Sequence, residues 1–298
     1  MITDSRPTTC IQSSIPLANL TSFRVGGAAE WFCAPRSVDD LQASLAWGDE
    51  RGLPLTLLGA GSNLLISDEG IDGLVMCLRH FQGLKFDREQ GQITAAAGEP
   101  IARIAWQAAA RGWSGLEWAV GIPGTVGGLV VMNAGAQGSC AADCLANVEV
   151  VSIDGAKRIM QPDELEFSYR HSSLQNSNLI VTKATFQLTP GFDRNQVRAT
   201  TTEYYKYRRL TQPYHLPSCG SVFRNPSPKA AGWLIEQTGL KGYQIGQAQV
   251  ANLHANFILN CGGASAKDIF RLIGHVQEQV NNQWSLLLKP EVRMLGQF

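Results

Sequence analysis

Hydrophobic and polar positions along this 298-residue chain follow two periods, short apolar runs and longer stretches with helical spacing. The run at 30–34, closed by Pro35, predicts a strand, and so do the runs at 55–58 and 73–78. Between the first two, 37–47 has the spacing of an amphipathic helix. Ser37 is its natural N-cap, Asp39 and Asp40 suit its first turn, and Gly52 lies past its end. These elements predict a small α/β lobe that ends near residue 80.

A second predicted lobe follows, with a strand at 92–98 and an alanine-rich helix over 101–111. That helix carries Ile101, Ile104, Ala105 and Ala108 on one face. Strands follow at 148–153 and 179–188, with Asp154-Gly155 as a turn signal. Near residue 195 the character changes. A helix is predicted over 196–209, then an irregular stretch over 211–228 containing Pro213, Pro217, Pro226 and Pro228. Helices are predicted at 229–238 and 266–281, the latter capped by Ser265 with Asp268 completing a capping box, and a last strand at 286–295. The predicted division is 1–80, 81–195 and 196–298, within an α/β and α+β fold class.

Composition narrows the chemistry mostly by exclusion. Lys plus Arg equals Asp plus Glu at 25 each, so no global field points to nucleic acid or to an acidic membrane. With 44% hydrophobic and 17% charged residues, the chain reads as an ordinary globular protein without a membrane-spanning run. Residues 1–7 do not read as a secretory signal. The seven cysteines are scattered and odd in number, which argues against a disulfide framework, and no zinc-type spacing occurs. The expectation is a reduced, cytoplasmic protein with no metal, no nucleic-acid partner and no membrane partner, a monomer or weak dimer.

Two glycine-rich stretches carry the strongest signal: Gly59-Ala60-Gly61-Ser62-Asn63-Leu64 and Gly121-Ile122-Pro123-Gly124-Thr125-Val126-Gly127-Gly128. The first leaves a predicted buried strand, and Asn133-Ala134-Gly135 follows the second. Neither is the dinucleotide fingerprint, and no Walker lysine follows. Tight turns are the plain reading of each. Together they favour backbone amides arrayed around a pyrophosphate. Arg170, in Phe167-Ser168-Tyr169-Arg170, either covers a sheet edge or offers a planar fork to a carboxylate. Ser221, followed by Val222-Phe223-Arg224-Asn225-Pro226, is either a turn residue or an exposed hydroxyl, and it lacks the hydrolase elbow. Glu291, in Lys289-Pro290-Glu291-Val292-Arg293, alone reads as part of a solvated charge pair. Tyr204 and Lys206, amid neighbouring aromatic and basic residues, fit either a nucleotide patch or an amphipathic helix.

Taken in order, these stretches resemble the UDP-N-acetylenolpyruvoylglucosamine reductase (MurB) family, from Asn19-Leu20-Thr21-Ser22-Phe23-Arg24-Val25-Gly26-Gly27 to Lys289-Pro290-Glu291-Val292-Arg293. The short stretch between Arg170 and Ser221 fits the shorter, second subtype of that family. The resemblance implies a two-lobed FAD-binding fold of the vanillyl-alcohol-oxidase (PCMH) type. Its lobes would be 1–80 and 81–195, and 196–298 would be an α+β substrate-binding domain whose C-terminal strand returns to the active site. It also implies non-covalent FAD against Gly59, Ala60, Gly61, Ser62, Asn63, Leu64, Gly121, Pro123, Gly124, Thr125, Gly127, Gly128, Asn133 and Gly135, with NADPH as reductant.

The substrate implied is UDP-GlcNAc-enolpyruvate, with Arg224, Asn225, Tyr204, Lys206 and Gln247 as candidate contacts. Flavin N5 would return hydride to the vinyl CH2 carbon, Arg170 and Glu291 would polarise the carboxylate, and Ser221 would donate the proton. An ionised glutamate would repel that carboxylate, so Glu291 is expected protonated or paired with Arg170 in the complex. Arg224 departs from the family, where lysine is frequent; a fork replaces a point charge. The alternatives are an FAD-dependent sugar or lactone oxidase of the same fold and a non-catalytic nucleotide-sugar-binding protein. Absence of a histidine at the first loop disfavours the covalent flavin common among such oxidases, and retention of Arg170, Ser221 and Glu291 disfavours the binding protein.

Overall fold

The structure, a computed structural model, describes residues 10–298, so the stretch read for a secretory signal lies outside the described residues. Six α-helices form among the described residues: α1 (Val38–Asp49), α2 (Ile101–Ala110), α3 (Val126–Val131), α4 (Arg194–Thr211), α5 (Ala231–Gln237) and α6 (Ala266–Trp284). The described chain divides into two compact units. The first comprises 10–13, 31–60 and 73–206; the second comprises 14–30, 61–72 and 207–298.

The first unit is built on a five-stranded antiparallel sheet. Its order is Lys157–Met160, Leu145–Ser152, Leu179–Gln187, Gln92–Ala96, Leu84–Asp87. The predicted Asp154-Gly155 turn joins the first two of these, with Ser152 N–H donating to the Ala156 carbonyl. Also in this unit, Leu55–Leu58 runs parallel to residues 74–77 of the strand Ile71–Cys77, with Leu58 beside Cys77. One core gathers Leu41 and Leu45 of α1, Leu74, Met76, Ile93, Phe186, and the buried face of α2. That α2 face is Ile101, Ile104, Ala105 and Ala108, the four positions its period predicts. The expected lobe boundary near residue 80 therefore falls inside a single hydrophobic core, because 73–77 and 92–96 bury the same apolar surface.

The second unit packs α5 and α6 on a three-stranded antiparallel sheet, Gln244–Ile245, Ala248–Val250 and Ile258–Asn260. Residues 14–30 and 61–72 belong here, so this unit is not the contiguous 196–298 segment of the sequence reading: Phe23, Val25 and Leu65 lie in its core with Leu272 and Val276. Helix α6 starts where predicted. Ser265 Oγ accepts from Asp268 N–H at 3.0 Å, and the Asp268 carboxylate accepts from Ser265 N–H at 3.1 Å. The Asp68 carboxylate takes the N–H groups of Ala266 (2.8 Å) and Lys267 (3.0 Å), so the first turn leaves few donors unmet. Helix α5 is shorter than predicted. Its N-cap, Ala230, has no side-chain acceptor, and Asn225 Oδ1 serves instead for Ala231 N–H.

The last strand is also shorter, Arg293–Leu295, running parallel to Leu64–Ile66. Pro290 has no N–H to give a ladder, and 289–292 pair locally with 222–224. Replacing the α6 cap, Ser265→Ala, is expected to cost about 1 kcal/mol. The check is a lowered urea midpoint at an unchanged slope.

Candidate active site

In the second unit, residues 221–224 form an extended segment held on both edges. On one edge Glu291 N–H donates to the Val222 carbonyl (2.7 Å) and Arg224 N–H to the Lys289 carbonyl (2.9 Å), around a Phe223–Pro290 bridge. On the other edge stands Asn256, 2% exposed. Its Oδ1 accepts from Phe223 N–H (2.9 Å), its Nδ2 donates to the Phe223 carbonyl (2.8 Å), and its own carbonyl accepts from Val222 N–H (2.8 Å). An amide side chain has the donor–acceptor pair of a peptide, so Asn256 acts as a strand neighbour of one residue. Ser221 and Glu291 are thereby tied to one short ladder. Among the described residues the half-buried Ser221 hydroxyl has no protein hydrogen bond, and Arg224 Nε is buried without a partner.

Asn63 joins the first glycine loop to this ladder. Its Nδ2 donates to the Glu291 carbonyl at 3.1 Å, and its carbonyl accepts from Arg293 N–H at 3.0 Å. Gly61 is glycine for packing: its φ is +64°, and a Cβ would meet the Leu20 carbonyl at 2.0 Å. Leu64 opens the short strand beside Arg293, and Ser62 is half-buried just before it. Asn225 Oδ1 is engaged in capping α5, while Gln247 is exposed in the Gly246-Gln247 hairpin turn, its carbonyl accepting from Cys261 N–H.

In the first unit the two glycine loops meet. A Cβ on Gly59 would stand 2.8 Å from Thr125 Oγ1, the hydroxyl that caps α3 by accepting from Gly128 N–H. Ala60 follows, and its carbonyl, with that of Gly59, is held by Arg79. Gly121 ends a 3-10 turn, Pro123 is exposed, and Gly124 takes φ +152° just before the cap. Gly127 is glycine because α3 packs on Ala97, 3.2 Å from the missing Cβ, whereas Gly128 is exposed on the open side of the first turn. The 6-residue α3 itself is absent from the sequence reading.

Beyond α3, Asn133 is 5% exposed and both ends of its amide are bonded within the protein. Nδ2 donates to the Ser168 carbonyl (3.0 Å) and Oδ1 accepts from Ala142 N–H (3.1 Å). This side chain therefore holds the turn that carries Arg170. Arg170 sits at φ +57° in that turn, its carbonyl accepts from Gln175 Nε2 (3.0 Å), and its Nη2 donates to the Gly135 carbonyl (3.0 Å). Gly135 is confined by its hairpin, with the Ser139 carbonyl 2.3 Å from a Cβ position.

Tyr204 packs on the first core and lines a cavity of about 330 Å³ with Trp118, Gln137 and Phe192. Lys206, two residues on, is exposed. Two helix positions lie about 200° apart, so Tyr204 and Lys206 do not face one ligand together.

Buried thiols are inert here. Burial pushes Cys33 up to about 11 and Cys144 up to about 12. Cys219 is raised by burial and then by the charge of Glu291. Among the described residues no group of three His, Cys, Asp or Glu side chains could hold a metal, and no helix is long and apolar enough to cross a membrane.

The class that the paired glycine loops and the matches below define is an FAD-dependent oxidoreductase. Residues 29–159 match the family model described as an FAD binding domain, and 212–295 match that of the UDP-N-acetylenolpyruvoylglucosamine reductase C-terminal domain. The reductase of that name from Trichormus variabilis is 60% identical over 288 residues, covering 97% of this chain and 87% of that one. The crystal structure of the Thermus caldophilus reductase superposes with TM-score 0.84 at 34% identity, covering 97% of this chain and all of that one. A solvent-stable cholesterol oxidase shares the fold alone, at TM-score 0.50 and 16% identity over 63% of this chain and 39% of that one. The chain belongs to the UDP-N-acetylenolpyruvoylglucosamine reductase family.

Asn256→Ala leaves two buried backbone groups of Phe223 unsatisfied and is expected to cost about 2–4 kcal/mol, read from urea unfolding. For the thiols the folded state retains its protons above pH 9, where unfolded cysteine loses them. Their contribution to stability is therefore fully present below pH 9 and is lost as pH rises towards 11 and 12 through the Cys33 and Cys144 values, which pH-dependent melting checks.

Proposed function

We propose that this chain reduces the enolpyruvyl ether of UDP-N-acetylglucosamine to UDP-N-acetylmuramate in peptidoglycan precursor synthesis, in the cytoplasm, with NADPH as reductant. The observation that carries this reading is the ladder that ties Ser221 to Glu291 and leaves the Ser221 hydroxyl without a protein partner.

The residues present fit FAD. Gly59 and Gly128 keep bare backbone beside Thr125, and side chains there would fill the cradle or cover its open side. Gly59, Ala60, Thr125 and Gly128 would hold the pyrophosphate, with Gly61 to Leu64 and Gly121 to Gly124 completing the site. Bound FAD supplies a hydride acceptor and donor, loaded from NADPH and discharged to the vinyl CH2 carbon. The protein's own tasks are to bind the substrate, hold its carboxylate and deliver one proton.

Arg170 has a rigid turn behind it and suits a planar grip on that carboxylate. Glu291, protonated or paired with Arg170 when substrate is bound, avoids repelling it. As charge builds on the enolic carbon and carboxylate, Ser221 gives its hydroxyl proton to that carbon. Arg224, whose Nε lacks a protein acceptor, would meet an anionic group of the substrate and lower the cost of the serine alkoxide. Asn225, Tyr204, Lys206 and Gln247 remain candidate nucleotide contacts, with Tyr204 and Lys206 acting from different helix faces.

General acid catalysis contributes about 10²–10⁴-fold. Ser221→Ala is therefore expected to leave flavin bleaching by NADPH unchanged and to slow recovery by UDP-GlcNAc-enolpyruvate by about that factor. Anaerobic stopped-flow absorbance reads both half-reactions. Equal slowing of the two would count against Ser221 as proton donor, and recovery only with oxygen would favour a sugar or lactone oxidase.

A further inference from the structure

The carbonyls of Gly59 and Ala60 both point at one guanidinium. Arg79 Nε donates to Gly59 O at 3.1 Å, and Arg79 Nη2 donates to Ala60 O at 2.5 Å. The sheet explains how they meet. Leu55–Leu58 and Ile71–Cys77 run parallel, with Leu58 beside Cys77, so both chains leave the sheet at the same end. Gly59-Ala60 and Arg79 lie one or two residues beyond it, at the carboxyl end of parallel strands, where α/β sheets bind their ligands.

We propose that Arg79 is a positioning residue for cofactor binding: it fixes the first glycine loop with its N–H groups turned towards the cofactor diphosphate and adds a fixed positive charge behind them. In a trans peptide the N–H points opposite to the C=O. Holding the carbonyls of Gly59 and Ala60 therefore turns the N–H groups of Ala60 and Gly61 away from Arg79. Among the described residues neither N–H has a protein acceptor. The Thr125 hydroxyl, 2.8 Å from where a Gly59 Cβ would stand, borders the same cradle.

Two adjacent carbonyls match the planar fork of arginine, and lysine offers charge without the fork. Arg79 also has a bland alternative, in which it only ties a surface turn to its neighbour. The two differ in whether the residue senses phosphate.

The inference rests on FAD as the cofactor, and the test separates the two. FAD affinity of the full chain is measured by flavin fluorescence at low and high KCl for wild type, Arg79→Lys and Arg79→Ala. ADP, which carries the diphosphate without flavin, is titrated alongside by calorimetry. Loss of charge-assisted hydrogen bonds predicts FAD and ADP affinities weakened together, about 100-fold in Arg79→Ala and about 10-fold in Arg79→Lys. The lysine variant should keep the wild-type salt dependence and the alanine variant should lose much of it.

FAD affinity within about threefold of wild type in both variants would overturn the inference. So would equal losses in both with unchanged salt dependence, which would mark Arg79 as a tie and nothing more. Should the alanine variant fail to fold, the lysine variant decides on the same two readings. Wild-type protein that takes up no FAD would overturn the proposed function instead.

Discussion

The ladder around residues 221–224 is the constraint on which the second unit's chemistry depends. It is too short to persist as an isolated strand pair, and Pro290 removes one of its donors. Asn256 makes up the difference by giving Phe223 both halves of a peptide's hydrogen bonding from the opposite edge. Because Glu291 N–H and the Val222 carbonyl share a bond in this ladder, any slip of 221–224 moves the serine and the glutamate relative to each other. Asn63 anchors the far side of Glu291 through its carbonyl. The glutamate is thus held through its backbone on both sides.

The first unit solves the same problem with the same residue type. Arg170 is in left-handed conformation, which costs a non-glycine residue about 1–2 kcal/mol, and such strain persists only where surroundings fix it. Asn133 holds the Ser168 carbonyl, Gln175 holds the Arg170 carbonyl, and both reach from the segment that follows or faces α3. In both units an amide side chain fixes the backbone that carries a candidate site residue.

Much of this was legible in sequence, and the misses have a common cause. Ser37, Ser265 and Asp268 announced their helix starts because caps are local, within three residues of what they bind. The α2 face was legible because burial follows its period. The glycine loops stood out, but sequence could not sort their glycines. A Cβ on Gly128 would make only ordinary contact with Thr125, whereas Gly59, Gly61, Gly127 and Gly135 lack side chains because Thr125, the Leu20 carbonyl, Ala97 and Ser139 press against them. Likewise sequence shows Asn133 beside a glycine loop but not its partners Ser168 and Ala142, which tertiary packing sets. Arg79 and Asn256 carried no motif at all, since their partners are 19 and 33 residues away.

Arg224 shows how an exchange within a family pattern can be read physically. A lysine there would present a point charge on a flexible stem, free to follow water or ligand. Arginine instead commits a planar group, and here its Nε is buried without an acceptor. An unmet buried donor on a charged group costs more than a neutral hydrogen bond gains, so it persists only where something else supplies the acceptor. The Arg224 backbone is already fixed to the Lys289 carbonyl, and the side chain cannot relieve itself by shifting the strand. In the proposed reaction that acceptor is an anionic group of the substrate, and loss of Arg224 is then expected to raise KM more than it lowers kcat.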